Sequence, residues 1–233
     1  MKKHIPNTLT CLNLFFGCLA VLFSLENQYD KVFYCVLFSG IFDFFDGMLA
    51  RALDVKSIIG KELDSLADMV SFGFVPGTIF YMLLQETTTS IYIPYFGFLL
   101  TIFSAIRLAK FNVDKRQTSD FIGLNTPMTT FFVVSLPFIT TSGAPWITQL
   151  SVLLPLIALL SYLLVSEIRF FSMKLSSLGW KPNRFKYVFL LISAALIVLL
   201  KFTALPFILV GYIFFSWLHF RAEKRLKNKI DTQ

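Results

Sequence analysis

The residues of this chain best suited to chemistry are Asp43, Asp46, Gly47, Ala50, Arg51, Gly60, Asp64 and Asp68. The surrounding sequence is apolar, and an ionised carboxylate at membrane depth costs roughly 2.5 to 3.5 kcal/mol on insertion scales, so a group of such acids is hard to explain without a function. At a helical repeat, Asp43, Asp46, Gly47 and Ala50 fall within an arc of about 100°, with Arg51 at its edge. Gly60, Asp64 and Asp68 follow at i, i+4 and i+8 on a second helix and span about 80°, while Glu62 points the other way. A short connection should pack the two helices antiparallel and let their acidic faces meet. Carboxylates crowded at low dielectric repel one another, and a divalent cation is the natural remedy. Oxygen ligands without His or Cys favour Mg²⁺, Mn²⁺ or Ca²⁺, and Mg²⁺ is usually shared between a few carboxylates and substrate phosphates. Gly47 and Ala50 would let a nucleotide or phosphate lie against the helix backbone, and Arg51 offers a fork of donors. Spacing alone leaves two other readings open: a proton or cation pathway through a transporter, and packing in which Arg51, Lys56 and Lys61 pair with the acids.

The elements that must position these residues follow from hydropathy. Of 233 residues 56% are hydrophobic and 28 are Phe, with a mean hydropathy of +0.70. This is the composition of an integral membrane protein rather than a soluble domain. Stretches able to span about 30 Å of hydrocarbon lie at about 9–25, 31–53, 61–85, 91–112, 126–142, 147–168, 186–201 and 203–220. The expected fold is an all-α polytopic membrane bundle of about eight helices. We read it as one integral membrane domain over 1–233, with a catalytic core at about 5–168, additional C-terminal helices at about 186–220 and a basic tail at 221–233. The last two spans are short and closely joined. No repeat or linker divides the chain, which argues against a transporter built from inverted halves.

Charge sets the expected orientation. With the N-terminus in the cytoplasm and the eight segments alternating across the membrane, all of the 21 Lys and Arg except Lys31 and Lys201 fall at cytoplasmic ends or loops. Both termini are therefore placed inside. The loop from Arg169 to Lys186 and the tail from Arg221 to Lys229 would face anionic headgroups, at about 1 kcal/mol of attraction per charge. The net charge of +7 is what this asymmetry produces, so nucleic acid is not an expected partner. Arg51 then lies near the inner interface and Asp43 roughly 12 Å deeper, in a cytoplasm-facing cavity. No cleavable signal peptide is expected, since Met1-Lys2-Lys3-His4 leads into a Pro-Asn-Thr turn. Cys11, Cys18 and Cys35 lack metal or redox spacing and read as small packing residues. Gly73 and Gly77, with Pro76 between them, suit close helix approach and a kink.

The run Asp43-Phe-Phe-Asp46-Gly47-Met-Leu-Ala50-Arg51, continued by Gly60, Asp64 and Asp68, resembles without a gap the signature of the CDP-alcohol phosphatidyltransferases. Ile5-Pro6-Asn7-Thr8-Leu9-Thr10 with Asn13 and Gly17, Asp64-Ser65-Leu66-Ala67-Asp68 through Gly73, Arg107-Leu108-Ala109-Lys110-Phe111-Asn112 and Gly123-Leu124-Asn125-Thr126-Pro127 are similar to the branch that uses serine, the CDP-diacylglycerol:serine O-phosphatidyltransferases. The departure is Asn125, where that branch commonly has Pro. The resemblance covers roughly residues 5 to 145, and the final helix pair reads as an addition to a six-helix core.

The resemblance implies transfer of a phosphatidyl group from CDP-diacylglycerol to L-serine, with release of CMP. It implies that Asp43, Asp46 and Asp64, helped by Asp68, hold Mg²⁺ or Mn²⁺, as one or two ions, and that Asp68 is the general base. Gly47, Ala50 and Arg51 would cradle the cytidine diphosphate, with Gly60 beside them and Ser57 as a hydroxyl donor. Asn7, Thr8 and Asn13 either contact the nucleotide or cap the first helix. Arg107 is the expected partner of the serine carboxylate. A phosphorylated acceptor, glycerol 3-phosphate or inositol phosphate, would need more cations and would recruit Lys110, Lys115 and Arg116 as well, residues that otherwise serve as positive-inside flanks. The resemblance also implies a homodimer, and the overall pattern suits a bacterial inner membrane. A cation transporter and a lipid-binding scaffold without catalysis are the alternatives from other classes.

Overall fold

The computed structural model describes residues 4–55, 57–114, 121–171 and 180–230, apart from the side chains of 180–182 and 223–230. Among them we distinguish eight helices: α1 (His4–Leu25), α2 (Tyr29–Ala52), α3 (Ile58–Thr87), α4 (Ile93–Val113), α5 (Thr126–Thr141), α6 (Leu150–Val165), α7 (Trp180–Leu200) and α8 (Leu205–Ile230). The first four, and the stretch Asn183–Ala222 that holds most of the last two, are long and apolar enough to cross a membrane. Helices α5 and α6 are shorter and apolar. Lys201, at φ +51°, breaks α7 from α8. The ring of Phe189 then meets Tyr212 and Phe215, which folds the pair into a hairpin. Among the described residues, an element that hydropathy did not suggest is a two-residue antiparallel ladder. In it β1 (Phe121–Ile122) pairs with β2 (Arg169–Phe170), tying the α4–α5 connection to the α6–α7 connection.

Local signals set the helix ends near the acids. Asp54 closes α2 with φ +51°, a left-handed conformation that Asp tolerates better than most residues. Ser57 then starts α3 by accepting the Gly60 N–H at 2.9 Å. Asn125 caps α5 in the same way, taking the Met128 N–H at 2.9 Å, so this departure from the expected Pro has a structural use.

Helix α3 is the most buried of the long helices and forms the centre of the bundle. Its inner side chains Phe72, Ile79, Phe80 and Leu84 pack with Val133, Leu136, Leu153, Ile157 and Leu164 from α5 and α6. Immediately after Asp68 the helix widens into a π-helical segment, Met69–Phe74. Pro76 has no N–H for the carbonyl four residues earlier, Phe72 O. Thr130 of α5 satisfies that carbonyl at 2.9 Å, and Thr101 of α4 donates to Gly73 O at 3.0 Å. In a bilayer no water can take this role, so neighbouring hydroxyls make the irregular segment possible.

The outer surface is apolar, with Leu22, Phe38, Leu159, Val198 and Phe207 exposed. For a polytopic protein this is the face that lipid covers. Cys11 and Cys18 are also exposed, whereas Cys35 is buried. The packing role expected of all three cysteines therefore holds only for Cys35.

Candidate active site

Helix α1 packs against both α2 and α3, and between them Asp43, Asp64 and Asp68 come together, each offering a carboxylate oxygen within 4.8 Å of the others. Such a set of hard oxygen donors, with Asp64 Oδ1 buried and without a hydrogen-bond donor, fits a divalent cation. Asp46, one turn along α2, is not part of this triad. Its carboxylate is drawn toward α1, where Thr10 Oγ1 donates to Oδ2 at 2.6 Å. Asp46 and Asp64 nevertheless line one cavity, so Asp46 flanks the triad on the side where a ligand would enter.

Asp68 is oriented from behind. Asn13 of α1 is fully buried and donates through Nδ2 to Asp68 Oδ1 at 3.1 Å. The backbone carbonyl of Asn13 is itself held, accepting from Ser39 Oγ at 2.7 Å and Ser71 Oγ at 3.1 Å. Three helices and the π-helical segment thus meet at one asparagine. Gly17 permits the approach: a Cβ there would lie 3.0 Å from Ser71 Cα, closer than side chains pack, and would overlap Ser71 Oγ.

Beside the acids lies a cavity of about 630 Å³, within the range of small-molecule sites. Asn7, Gly47, Ala50, Ser57 and Gly60 line it, together with Thr10, Val55, Lys61 and Glu62. A Cβ on Gly47 would meet nothing within 4 Å, so this glycine leaves open space that a ligand can fill. At Gly60 the space is tight, with Asn7 Oδ1 only 3.0 Å from the position of a Cβ.

Three sequence candidates do not line that cavity. Thr8 is exposed and spends its hydroxyl on His4 O at 2.9 Å, because one step along α1 from Asn7 turns it about 100° away. Arg51 is exposed at the end of α2, turned by the same step from Ala50. Asn13 faces inward onto Asp68. Glu62, expected to point away, stands on the rim of the cavity. Thr10 and Lys61 are polar lining residues that sequence reasoning did not assign to a ligand site. Thr10 had a signal, since Pro6, Thr10, Asn13, Gly17, Ala20 and Ser24 form the buried stripe of α1 at helical spacing. Lys61 had none, because its place depends on α4, where it donates to Asn112 O at 2.9 Å.

Arg107 lies in a second cavity, of about 310 Å³, lined also by Lys110, Asp114, Ile122, Ser166 and Glu167. It is 8% exposed, with Nη1 3.5 Å from Thr126 Oγ1 and its guanidinium 5.4 Å from the Phe111 ring centroid. It also lies within electrostatic reach of Asp68. Lys115 and Arg116 lie outside the described residues.

The family model described as CDP-alcohol phosphatidyltransferase matches residues 3–165. A CDP-diacylglycerol–serine O-phosphatidyltransferase of Bacillus subtilis (strain 168) is 36% identical over 175 residues, covering 72% of this chain and 90% of that protein. Proteins of the same name are 30% identical over 220 residues in Mycobacterium leprae (strain TN), covering 90% of this chain and 72% of the relative, and 32% identical over 193 residues in Helicobacter pylori (strain ATCC 700392 / 26695), covering 81% and 79%.

Proposed function

Because the chain belongs to the CDP-alcohol phosphatidyltransferase family, we propose that it transfers the phosphatidyl group of CDP-diacylglycerol to the hydroxyl of serine, releasing CMP and forming phosphatidylserine. The observation that carries this reading is the meeting of Asp43, Asp64 and Asp68 beside a cavity that Asp46 and Asp64 line and that Gly47 and Gly60 wall.

In this reading the larger cavity takes the cytidine diphosphate head, with the backbone at Gly47 and Ala50 against it and Asn7 and Ser57 as polar partners. Asp43, Asp64 and Asp68 would hold the divalent cation, Mg²⁺ or Mn²⁺, with Asp46 beside them for a second ion. When bound, the metal supplies charge neutralisation to the diphosphate and to the departing CMP. Asp68, held by Asn13, accepts the proton of the serine hydroxyl. The serine oxygen bonds to the phosphorus that carries the diacylglycerol, and the bond from that phosphorus to the CMP oxygen breaks. Arg107 orients the acceptor through its carboxylate.

Serine is favoured over a phosphorylated alcohol by the charge of the smaller cavity. Its described lining holds two cations, Arg107 and Lys110, and two carboxylates, Asp114 and Glu167. This balance suits a zwitterionic amino acid, whereas a phosphate dianion needs an excess of cations. The asymmetry of Lys and Arg along the sequence supports a site and both termini on the cytoplasmic side of a bacterial inner membrane. Residues 5–168 would form the catalytic core, α7 and α8 an addition to it, and two copies a homodimer.

The test is CMP release from CDP-diacylglycerol by purified protein with Mg²⁺ or Mn²⁺, comparing serine, glycerol 3-phosphate and inositol phosphate, with Asp68→Asn alongside. Serine-dependent CMP and phosphatidylserine, lost in the variant, is the expected result. Turnover only with a phosphorylated alcohol would overturn the acceptor, and metal-dependent ion flux without CMP would overturn the reaction.

A further inference from the structure

Away from the acids, the C-terminal hairpin carries a second built feature. Val210, Ile213, Phe214 and Trp217 form a stripe along α8 that borders a groove of about 1020 Å³, closed on its other side by Ile168 to Phe170. Val210, Phe214 and Trp217 are each more than half exposed. Two arginines from different elements, Arg169 of β2 and Arg221 of α8, stand at one end of it. The guanidinium of Arg169 lies 4.6 Å from the Phe220 ring centroid and that of Arg221 lies 4.8 Å from the Trp217 ring centroid. Each cation is thus held against an aromatic face rather than left to a free side chain.

The wall is also rigid. Tyr212 donates through its hydroxyl to Phe171 O at 2.9 Å, Phe171 N–H donates to Ser216 Oγ at 3.4 Å, and the rings of Phe170 and Tyr212 stack at 5.7 Å. These contacts fix β2 against α8.

We infer that this groove binds one anionic glycerophospholipid, with its phosphodiester between Arg169 and Arg221 and an acyl chain along Val210, Phe214 and Trp217. Two features select this occupant. From Arg221 to Val210 the helix rises about 16 Å, the depth of one leaflet of a bilayer core about 30 Å thick, so the cationic end lies at the interface and the apolar end near the midplane. Two guanidiniums at the headgroup level match a phosphate that carries net charge, whereas an apolar helix from a partner protein would bring them no anion. The site shares no residue with the carboxylates or with either cavity of the reaction, and its occupant need not be a substrate.

The experiment is native mass spectrometry of the full chain purified from nanodiscs of equal phosphatidylglycerol and phosphatidylcholine. Wild type should retain phosphatidylglycerol in preference to phosphatidylcholine. Arg169→Gln with Arg221→Gln should weaken phosphatidylglycerol retention about thirtyfold, or about 2 kcal/mol at 1.4 kcal/mol per tenfold, and leave phosphatidylcholine unchanged. Val210→Trp, which fills the groove without changing charge, should lower retention with both arginines intact, and thermal unfolding verifies that each variant is folded. The inference is overturned if the double variant retains phosphatidylglycerol as wild type does, or if neutralising Lys224, Arg225, Lys227 and Lys229 alone abolishes the preference. A photo-crosslinker at position 217 that captures a second copy of the chain instead of lipid would overturn it as well.

Discussion

Thr10→Val tests whether the orientation of Asp46 matters to the reaction. The hydroxyl of Thr10 is buried and has one proton to give, with Asp46 Oδ2 at 2.6 Å and Pro6 O at 3.1 Å. The shorter distance and the ionised acceptor assign the proton to Asp46. Valine keeps the shape of the side chain, so no cavity opens and the change is confined to one hydrogen bond. Bonds to a charged group contribute about 1.5 to 3 kcal/mol. Asp46 is 5% exposed, which leaves little room for water to replace the hydroxyl. Expressed in the transition state, the loss lowers kcat/KM about 10- to 150-fold. Because Asp46 flanks the triad proposed to hold the metal, the Mg²⁺ concentration for half-maximal activity should rise as well, a change that loss of fold alone would not produce. Thr10→Ser, which restores the hydroxyl, should return to within about threefold of wild type. CMP release at varied Mg²⁺ measures all three proteins. Wild-type rates and metal dependence in the valine variant would refute the role given to this bond.

Other substitutions separate the two cavities. Gly47→Leu should leave thermal stability equal or higher, because its Cβ meets nothing and leucine is the better helix former by about 1 kcal/mol, yet raise KM for CDP-diacylglycerol at least about tenfold; an unchanged KM would mean that the ligand lies elsewhere. Ser57→Ala should cost about 1 kcal/mol of stability through the lost cap on α3, and its KM for CDP-diacylglycerol decides whether the hydroxyl also meets a phosphate. Arg107→Gln should raise KM for serine at least about tenfold and leave that for CDP-diacylglycerol within about twofold, measured by CMP release at saturating second substrate; equal changes in both would refute an acceptor role.

Much of the fold was legible in the sequence because the bilayer is a strict reader of it. A helix must present a long apolar run to cross hydrocarbon, so the eight helices could be read from hydropathy, although two of them, Thr126–Thr141 and Leu150–Val165, are shorter than the others and the last runs ten residues further than expected, to Ile230. The acids were legible for a related reason: at helical spacing, Asp43 with Asp46 and Asp64 with Asp68 mark two faces whatever surrounds them. Tertiary structure decided what each polar side chain does. Asp46 leaves the triad because α1 brings Thr10 to it, and Asn13 turns to Asp68 because Ser39 and Ser71 hold its carbonyl from two other helices. Thr8 and Arg51 sit next to lining residues yet face outward, since one step along a helix turns a side chain by about 100°. The π-helical segment and the cavity around Arg107 depend on partners far away in sequence, Thr130 and Thr101 for the first and Ser166 and Glu167 for the second. Periodicity along a chain determines which face a residue shares, whereas its partner is set by the packing of other helices against that face.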